Sequence, residues 1–249
     1  MTELFDTHAH FEGGDEATAA ALARAATAGV TRLMAVGGSA SLNKGVEIAA
    51  CCADRSGVKV WRCIGWDRDQ IDADRGVLDY TGVAAVGEIG LDYHYSPETR
   101  DRQLELMGSQ LELARRLGLP VVIHTRDADD DTLGILREIP SKGIIHCFTG
   151  GPAFCRALLD LGFMISISGI VTFRAACNVR ESALVVPDDR LLIETDSPFL
   201  APVPMRGNAN EPAFVVHTAR FLADLRRTPF EELAAVTTGN ALLALGEVK

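Results

Sequence analysis

Pro120-Val121-Val122-Ile123-His124-Thr125-Arg126 is a short apolar run that ends abruptly in polar residues, the first of them a histidine. A run this short, rich in β-branched residues and entered through a proline, reads as a buried strand rather than a helix. Immediately before it, residues 100–117 carry the apolar spacing of an amphipathic helix and stop at Gly118, where a C-cap glycine belongs. Working outward in both directions, the same pairing of strand and helix recurs. Strand-like runs lie at 4–7, 32–36, 59–64, 83–86, 121–123, 144–145, 164–167 and 191–193. Helical stretches such as 16–28 and 153–161 lie between them, each followed by a glycine, Gly29 and Gly162. Strands alternating with helices imply parallel pairing through right-handed crossovers. Eight such runs in 249 residues favour a closed (β/α)8 TIM barrel over an open sheet. No linker, repeat or composition shift divides the chain, so the α/β fold is expected to be a single domain over residues 1–249.

Composition narrows the function. With 47% hydrophobic and 23% charged residues the chain can bury a full core, which excludes a disordered or low-complexity protein. Its 24 basic and 34 acidic residues give a net charge of −10, which excludes a surface that grips nucleic acid by basic charge alone. A nucleic-acid substrate reached through metal ions is still compatible with that balance. The N-terminal residues lack a basic stretch followed by an apolar one, and no apolar run approaches a membrane span. The six cysteines, Cys51, Cys52, Cys63, Cys147, Cys155 and Cys177, show no metal-binding spacing. The expectation is a cytoplasmic protein with reduced thiols, no membrane contact and no stable protein partner.

Chemistry gathers at the strand ends. His8 and His10 are two residues apart at the end of the first run, where alternation puts both on one face. Glu88 closes the fourth run, His124 the fifth, His146 the sixth and Asp196 the eighth. In a parallel barrel all strands end at one mouth, the place where such enzymes do their chemistry. Four histidines and two carboxylates there supply nitrogen and oxygen ligands suited to zinc, manganese or magnesium. Carboxylates facing a barrel interior are costly unless paired or coordinated.

Five segments in order, Asp6-Thr7-His8-Ala9-His10, Gly87-Glu88-Ile89-Gly90-Leu91-Asp92, Ile123-His124-Thr125-Arg126, His146-Cys147-Phe148-Thr149-Gly150 and Glu194-Thr195-Asp196-Ser197-Pro198, resemble the motif series of the TatD-family metal-dependent deoxyribonucleases, which belong to the amidohydrolase-type barrels. Arg206-Gly207-Asn208-Ala209-Asn210-Glu211-Pro212 and Thr238-Gly239-Asn240 resemble two further stretches of that family. The resemblance implies that His8, His10, Glu88, His124, His146 and Asp196 are ligands of two divalent ions (Mg, Mn or Zn), with Glu88 bridging both. It also implies hydrolysis of phosphodiester bonds in DNA, with Asp196 and Glu88 as the catalytic carboxylates. The same centre suits amide, ester or lactone hydrolysis, which is the alternative reading. A non-catalytic binding barrel is a third, opposed by the intact ligand set.

Further residues follow from position. Asp6 and Glu194 are expected to orient ligands, and Arg126 and Arg206 to hold phosphate oxygens. Tyr93 is a candidate for stacking on a base, whereas His94 is expected to be solvated and His217 to pack in a helix. After the third run the chain departs from the pattern of the family it resembles. Where family members commonly carry Gly-x-His-Pro, it reads Gly65-Trp66-Asp67-Arg68. Asp67 offers only acceptors and repels an incoming phosphodiester unless a neighbouring arginine, Arg68 or Arg62, neutralises it.

Overall fold

In the computed structural model, which describes residues 2–246, the strands are β1 (Leu4–Ala9), β2 (Val30–Gly38), β3 (Lys59–Trp66), β4 (Ala85–Asp92), β5 (Val121–Arg126), β6 (Gly143–Ile145), β7 (Met164–Ile167) and β8 (Leu191–Ile193). They lie side by side in sequence order and every neighbouring pair is parallel. At the seam between β8 and β1, Ala9 and Ser197 form a parallel bridge. There Asp196 N–H donates to the His8 carbonyl at 2.9 Å, and His10 N–H to the Ser197 carbonyl at 2.8 Å. The sheet thus returns on itself as the expected TIM barrel, one α/β domain.

The outer helices are α1 (Asp15–Thr27), α2 (Ala40–Ser56), α3 (Arg100–Leu117), α4 (Asp129–Glu138), α5 (Pro152–Asp160), α6 (Cys177–Val185), α7 (Val215–Arg226) and α8 (Phe230–Ala244). The expected regular alternation breaks at one place. Between β3 and β4 there is a single 3-10 turn, Arg68–Gln70, and no α-helix, while both α7 and α8 follow β8. The connection after Asp67 is rich in aspartate and glycine and carries no apolar period to bury a helix face. Gly118 caps α3 in the left-handed conformation at φ 67°, as its position in the sequence implies.

Two apolar layers result. Phe5, Met34, Trp61, Val122, Ile144 and Leu192 meet inside the barrel, joined by Ala241 and Leu245 from the α8 end. Each large side chain there contributes roughly 1.5–3 kcal/mol through burial, so the space below the mouth is a packed plug. Asn240 of α8 donates to the Asp188 and Leu191 carbonyls at 2.6 and 2.9 Å, which fixes that helix under the start of β8.

Strict strand alternation does not place the chemistry. On β1 Phe5 belongs to the interior, yet His8 also turns into the mouth; a register shift against β2 falls between Asp6 and Ala9. On β4 Val86, Ile89 and Leu91 all pack in the outer layer, and a register shift against β5 between Val86 and Ile89 accompanies the inward turn of Glu88. Glu88 therefore lies within its strand instead of closing it. Gly90 makes the approach of β4 to β5 possible, since a Cβ on it would stand 2.0 Å from the His124 carbonyl oxygen.

Candidate metal centre

The mouth holds a cavity of about 670 Å³ whose floor is His10, Glu88, His124, His146 and Asp196. Glu88, buried, is the hub. Its Oε2 lies 3.5 Å from Nε2 of both His8 and His10. Its Oε1 lies 3.1 Å from His146 Nε2 and 3.2 Å from His124 Nδ1. Asp196 sides with the first pair, its Oδ1 being 3.6 Å from His10 Nε2 and 3.9 Å from His8 Nε2. The two imidazoles of each pair are themselves close, at 3.1 Å for His8 and His10 and 3.3 Å for His124 and His146. All six residues expected as ligands thus converge.

The outward ring nitrogens show which way the lone pairs face. His10 Nδ1 is 2.9 Å from the Val36 carbonyl, which only accepts, so Nδ1 carries the hydrogen and Nε2 is left as a donor toward a cation. Glu194 Oε1 takes the same position on His146 Nδ1 at 3.3 Å, and Asp92 Oδ2 on His124 Nε2 at 3.2 Å. Backbone or carboxylate partners of this kind fix ligand tautomers in metal sites. A cation held at about 2.0–2.1 Å has neighbouring ligand atoms about 3 Å apart, close to the separations found here. Trios of potential ligand atoms are His8, His10 and Glu88 on one side, Glu88, His124 and His146 on the other, and His8, His146 and Glu194 between them, and these residues fit divalent ions well.

Electrostatics agree with the geometry. Burial favours the neutral form of Glu88, yet the charge of His146 and hydrogen bonds with His124, His146 and His8 outweigh it and hold the carboxylate well below its usual range. Burial, and then the charge of His146, push His8 down to about 3. His146 itself is held well above its usual value, burial notwithstanding, by the Glu88 and Glu194 carboxylates. Burial pushes Asp196 up to about 8; His146 opposes this, and the charges of Glu194 and Glu88 reinforce it. A cluster that traps protons between buried carboxylates and imidazoles offers those positions to a competing cation.

Of the supporting acids, Glu194 behaves as anticipated: fully buried, it orients His146 and also accepts from the Cys147 N–H at 2.7 Å. Asp6 instead supports backbone, accepting from Thr195 N–H at 2.8 Å, Thr195 O–H at 2.6 Å and His8 N–H at 3.3 Å. Asp92, which orients His124, was not singled out by the sequence; its position four residues after Glu88 on β4 is the signal for it. Asn210 donates to the Thr195 and Phe199 carbonyls at 2.8 and 2.5 Å, and so clamps the loop that carries Asp196.

The other expected substrate contacts lie elsewhere. Arg126 stacks on Tyr95 at 4.9 Å and exposed Arg206 on Phe173 at 3.9 Å, and neither lines the mouth cavity. The Tyr93 hydroxyl donates to Asp131 at 2.7 Å and its ring packs against the core. The ring in the mouth is Phe199, 56% exposed, edge-on to His10. His94 is exposed beside Asp127, as expected, and His217 sits half-buried on α7 near Phe214. Asp67 does line the mouth, but it is buried and paired with Arg68; Arg62 is turned away to Glu47 and the Thr81 carbonyl. The six cysteines are free thiols, and no described helix is long and apolar enough to cross a membrane.

Comparison with known proteins agrees with this centre. The family model for TatD related DNase matches residues 5–246. The uncharacterized metal-dependent hydrolase YcfH of Escherichia coli (strain K12) is 54% identical over 64% of this chain, and the chain spans 61% of the length of that relative. The 3'-5' ssDNA/RNA exonuclease TatD of Erwinia amylovora is 34% identical over 90% of this chain and 91% of its own. The crystal structure of the TatD homolog YJJV from Escherichia coli superposes with a TM-score of 0.84 at 28% identity, covering 97% of each chain. The chain belongs to the TatD family.

Proposed function

We propose that this chain is a metal-dependent hydrolase that cleaves phosphodiester bonds of DNA at a centre for two divalent ions. The observation that carries the reading is the division of Glu88, one carboxylate oxygen facing His8 and His10 and the other facing His124 and His146. On this reading His8, His10, Glu88 and Asp196 hold one ion, and Glu88, His124 and His146 the other. Bound there, the ions would supply Lewis acidity and offset phosphate charge. The protein's own contribution is position. Val36, Glu194 and Asp92 lock the rings; Asp196, which lines the mouth cavity, would accept a proton from the attacking water. Phe199 offers an exposed ring for stacking on a base, which supports a nucleic-acid substrate in the role first expected of Tyr93. The Erwinia amylovora relative, a 3'-5' ssDNA/RNA exonuclease, points the same way.

The test is a substrate panel with manganese-, magnesium- or zinc-loaded protein: single-stranded DNA, bis-p-nitrophenyl phosphate, p-nitrophenyl acetate and a simple lactone. Cleavage of the two phosphodiesters is expected, abolished by chelator and restored by added metal. Turnover of the carbonyl substrates alone would overturn the reading in favour of the amidohydrolase alternative.

A further inference from the structure

The mouth is lined by five carboxylates, Glu12, Asp67, Asp69, Glu88 and Asp196, and among the described residues lining it Arg68 is the one lysine or arginine. Arg68 starts the 3-10 turn after β3, at the place where the chain departs from its family's pattern. Buried Asp67 fixes this turn, accepting from the Arg68 backbone N–H at 2.7 Å, and its carboxylate also contacts the Arg68 guanidinium. The same Nη1 that contacts Asp67 also faces Glu88 Oε1, at 3.5 Å, and Nη2 faces Asp92 Oδ2, at 3.9 Å. Both separations exceed a good hydrogen bond, so these are charge contacts that leave N–H donors uncommitted. The side chain is 24% exposed, enough to meet a ligand entering the cavity.

From these contacts we infer that Arg68 is a phosphate-binding residue: its guanidinium, anchored by Asp67, donates to a non-bridging oxygen of the phosphate group that sits over Glu88. A planar fork with five donors matches a phosphate better than any other side chain, and a fixed carboxylate partner keeps it from collapsing into solvent. Cations bound at Glu88 would repel the guanidinium from Oε1 and leave it facing outward, toward an entering anion. Arg126 and Arg206, stacked on their own aromatic rings outside the cavity, do not compete for this role. Asp67 then serves as the anchor of the cation that receives the phosphate, and its negative charge is already matched.

This inference rests on the phosphodiesterase reading for the identity of its ligand, but it is tested separately. Manganese-loaded wild type, Arg68→Gln and Arg68→Lys are titrated with inorganic phosphate by calorimetry, with manganese content and bis-p-nitrophenyl phosphate kinetics measured in parallel. Arg68→Gln is expected to weaken phosphate binding about 10- to 100-fold with manganese content unchanged, and Arg68→Lys to lie between. The fall in kcat/KM should track the loss of phosphate binding. On wild type, phosphate should also protect Arg68 from phenylglyoxal, mapped by mass spectrometry, a measurement that does not depend on a variant folding. Equal phosphate binding by wild type and Arg68→Gln, or no protection of Arg68, overturns the inference. Arg68-dependent phosphate binding in an enzyme that cleaves no phosphodiester would instead sustain it and refute the proposed function.

Discussion

Replacing Glu88 with glutamine tests the bridging arrangement most directly. Glutamine keeps the volume and one carbonyl oxygen but removes the negative charge that faces two imidazole pairs at once, at 3.5 Å on one side and 3.1 and 3.2 Å on the other. Two unit charges about 4 Å apart at an effective dielectric of ~20 interact by about 4 kcal/mol, and half of that is already a roughly 30-fold change in affinity. The loss should therefore appear at both ion positions, not at one. Manganese titration of the apoprotein by calorimetry reads stoichiometry and affinity together. His10→Ala and His124→Ala are expected to lose one equivalent each, whereas Glu88→Gln weakens both. In chelated protein the substitution should also cost stability near neutral pH and progressively less in acid. The folded-state pKa of Glu88 is depressed, so its contribution is present above the unfolded value near 4.5 and fades as pH falls through the folded one. Wild-type affinity for either equivalent in Glu88→Gln would refute the bridging argument.

Glu194→Gln should cost about 10- to 100-fold in metal affinity through looser control of His146, with stoichiometry kept; an unchanged manganese titration would reduce Glu194 to packing. Asp92 is held down to about 2, burial being outweighed chiefly by hydrogen bonds with His124 and the Tyr95 N–H. Its stabilisation is full above the unfolded value of 3.8 and is lost as pH falls toward 2, so Asp92→Asn should cost about 1–2 kcal/mol at neutral pH and progressively less in acid. Urea unfolding of chelated protein across that range checks it, and a pH-independent difference would point to packing instead. Asp67→His removes the anchor of Arg68, so KM for single-stranded DNA should rise several-fold with metal content unchanged; tighter DNA binding would mean that the aspartate repels substrate after all.

What was legible in the sequence was local. The run 121–123 and the helix at 100–117 are dictated by residue type and period, and barrel topology then brings the ends of distant strands to one mouth. The inward turns of His8 and Glu88 were not legible in full. Alternation from Phe5 would send His8 to the outer layer, and only the register shifts in β1 and β4 reverse it, which depend on neighbouring strands. The partners that consume a polar group were hidden for the same reason. Tyr93 reads as an available aromatic until Asp131, from α4, takes its hydroxyl. Asp67 reads as a repulsive charge until Arg68 folds back on it. The missing helix after β3 was visible as aspartate- and glycine-rich chain, but the expectation of regular repeats overrode that signal.

The first imidazole pair and Asp196 come from opposite ends of the chain, and the barrel seam joins them. β8 offers only a short ladder, Leu191–Ile193, so buried side chains supply the bonds that the backbone does not. Thr7 O–H donates to the Ile193 carbonyl at 2.9 Å and its oxygen lies 3.0 Å from Ser166 Oγ. Asp6 ties down Thr195 by two bonds, and Asn210 holds the following turn. In that turn Asp196 itself adopts φ 57°, a left-handed conformation that aspartate tolerates better than most residues. Each such bond contributes only about 0.5–1.5 kcal/mol net, but a group left unpaired here costs about 1–3 kcal/mol. Polar seams of this kind are directional where apolar packing is not, so they fix where Asp196 stands relative to His8 and His10. His124 is fixed differently, within the continuous β4–β5 ladder from Ile89 to Asp92, and Glu88 stands at the register shift immediately before that ladder. The two halves of the centre therefore depend on different parts of the fold, one on barrel closure and one on a strand pair, and Glu88 is the residue through which a displacement of either half reaches the other.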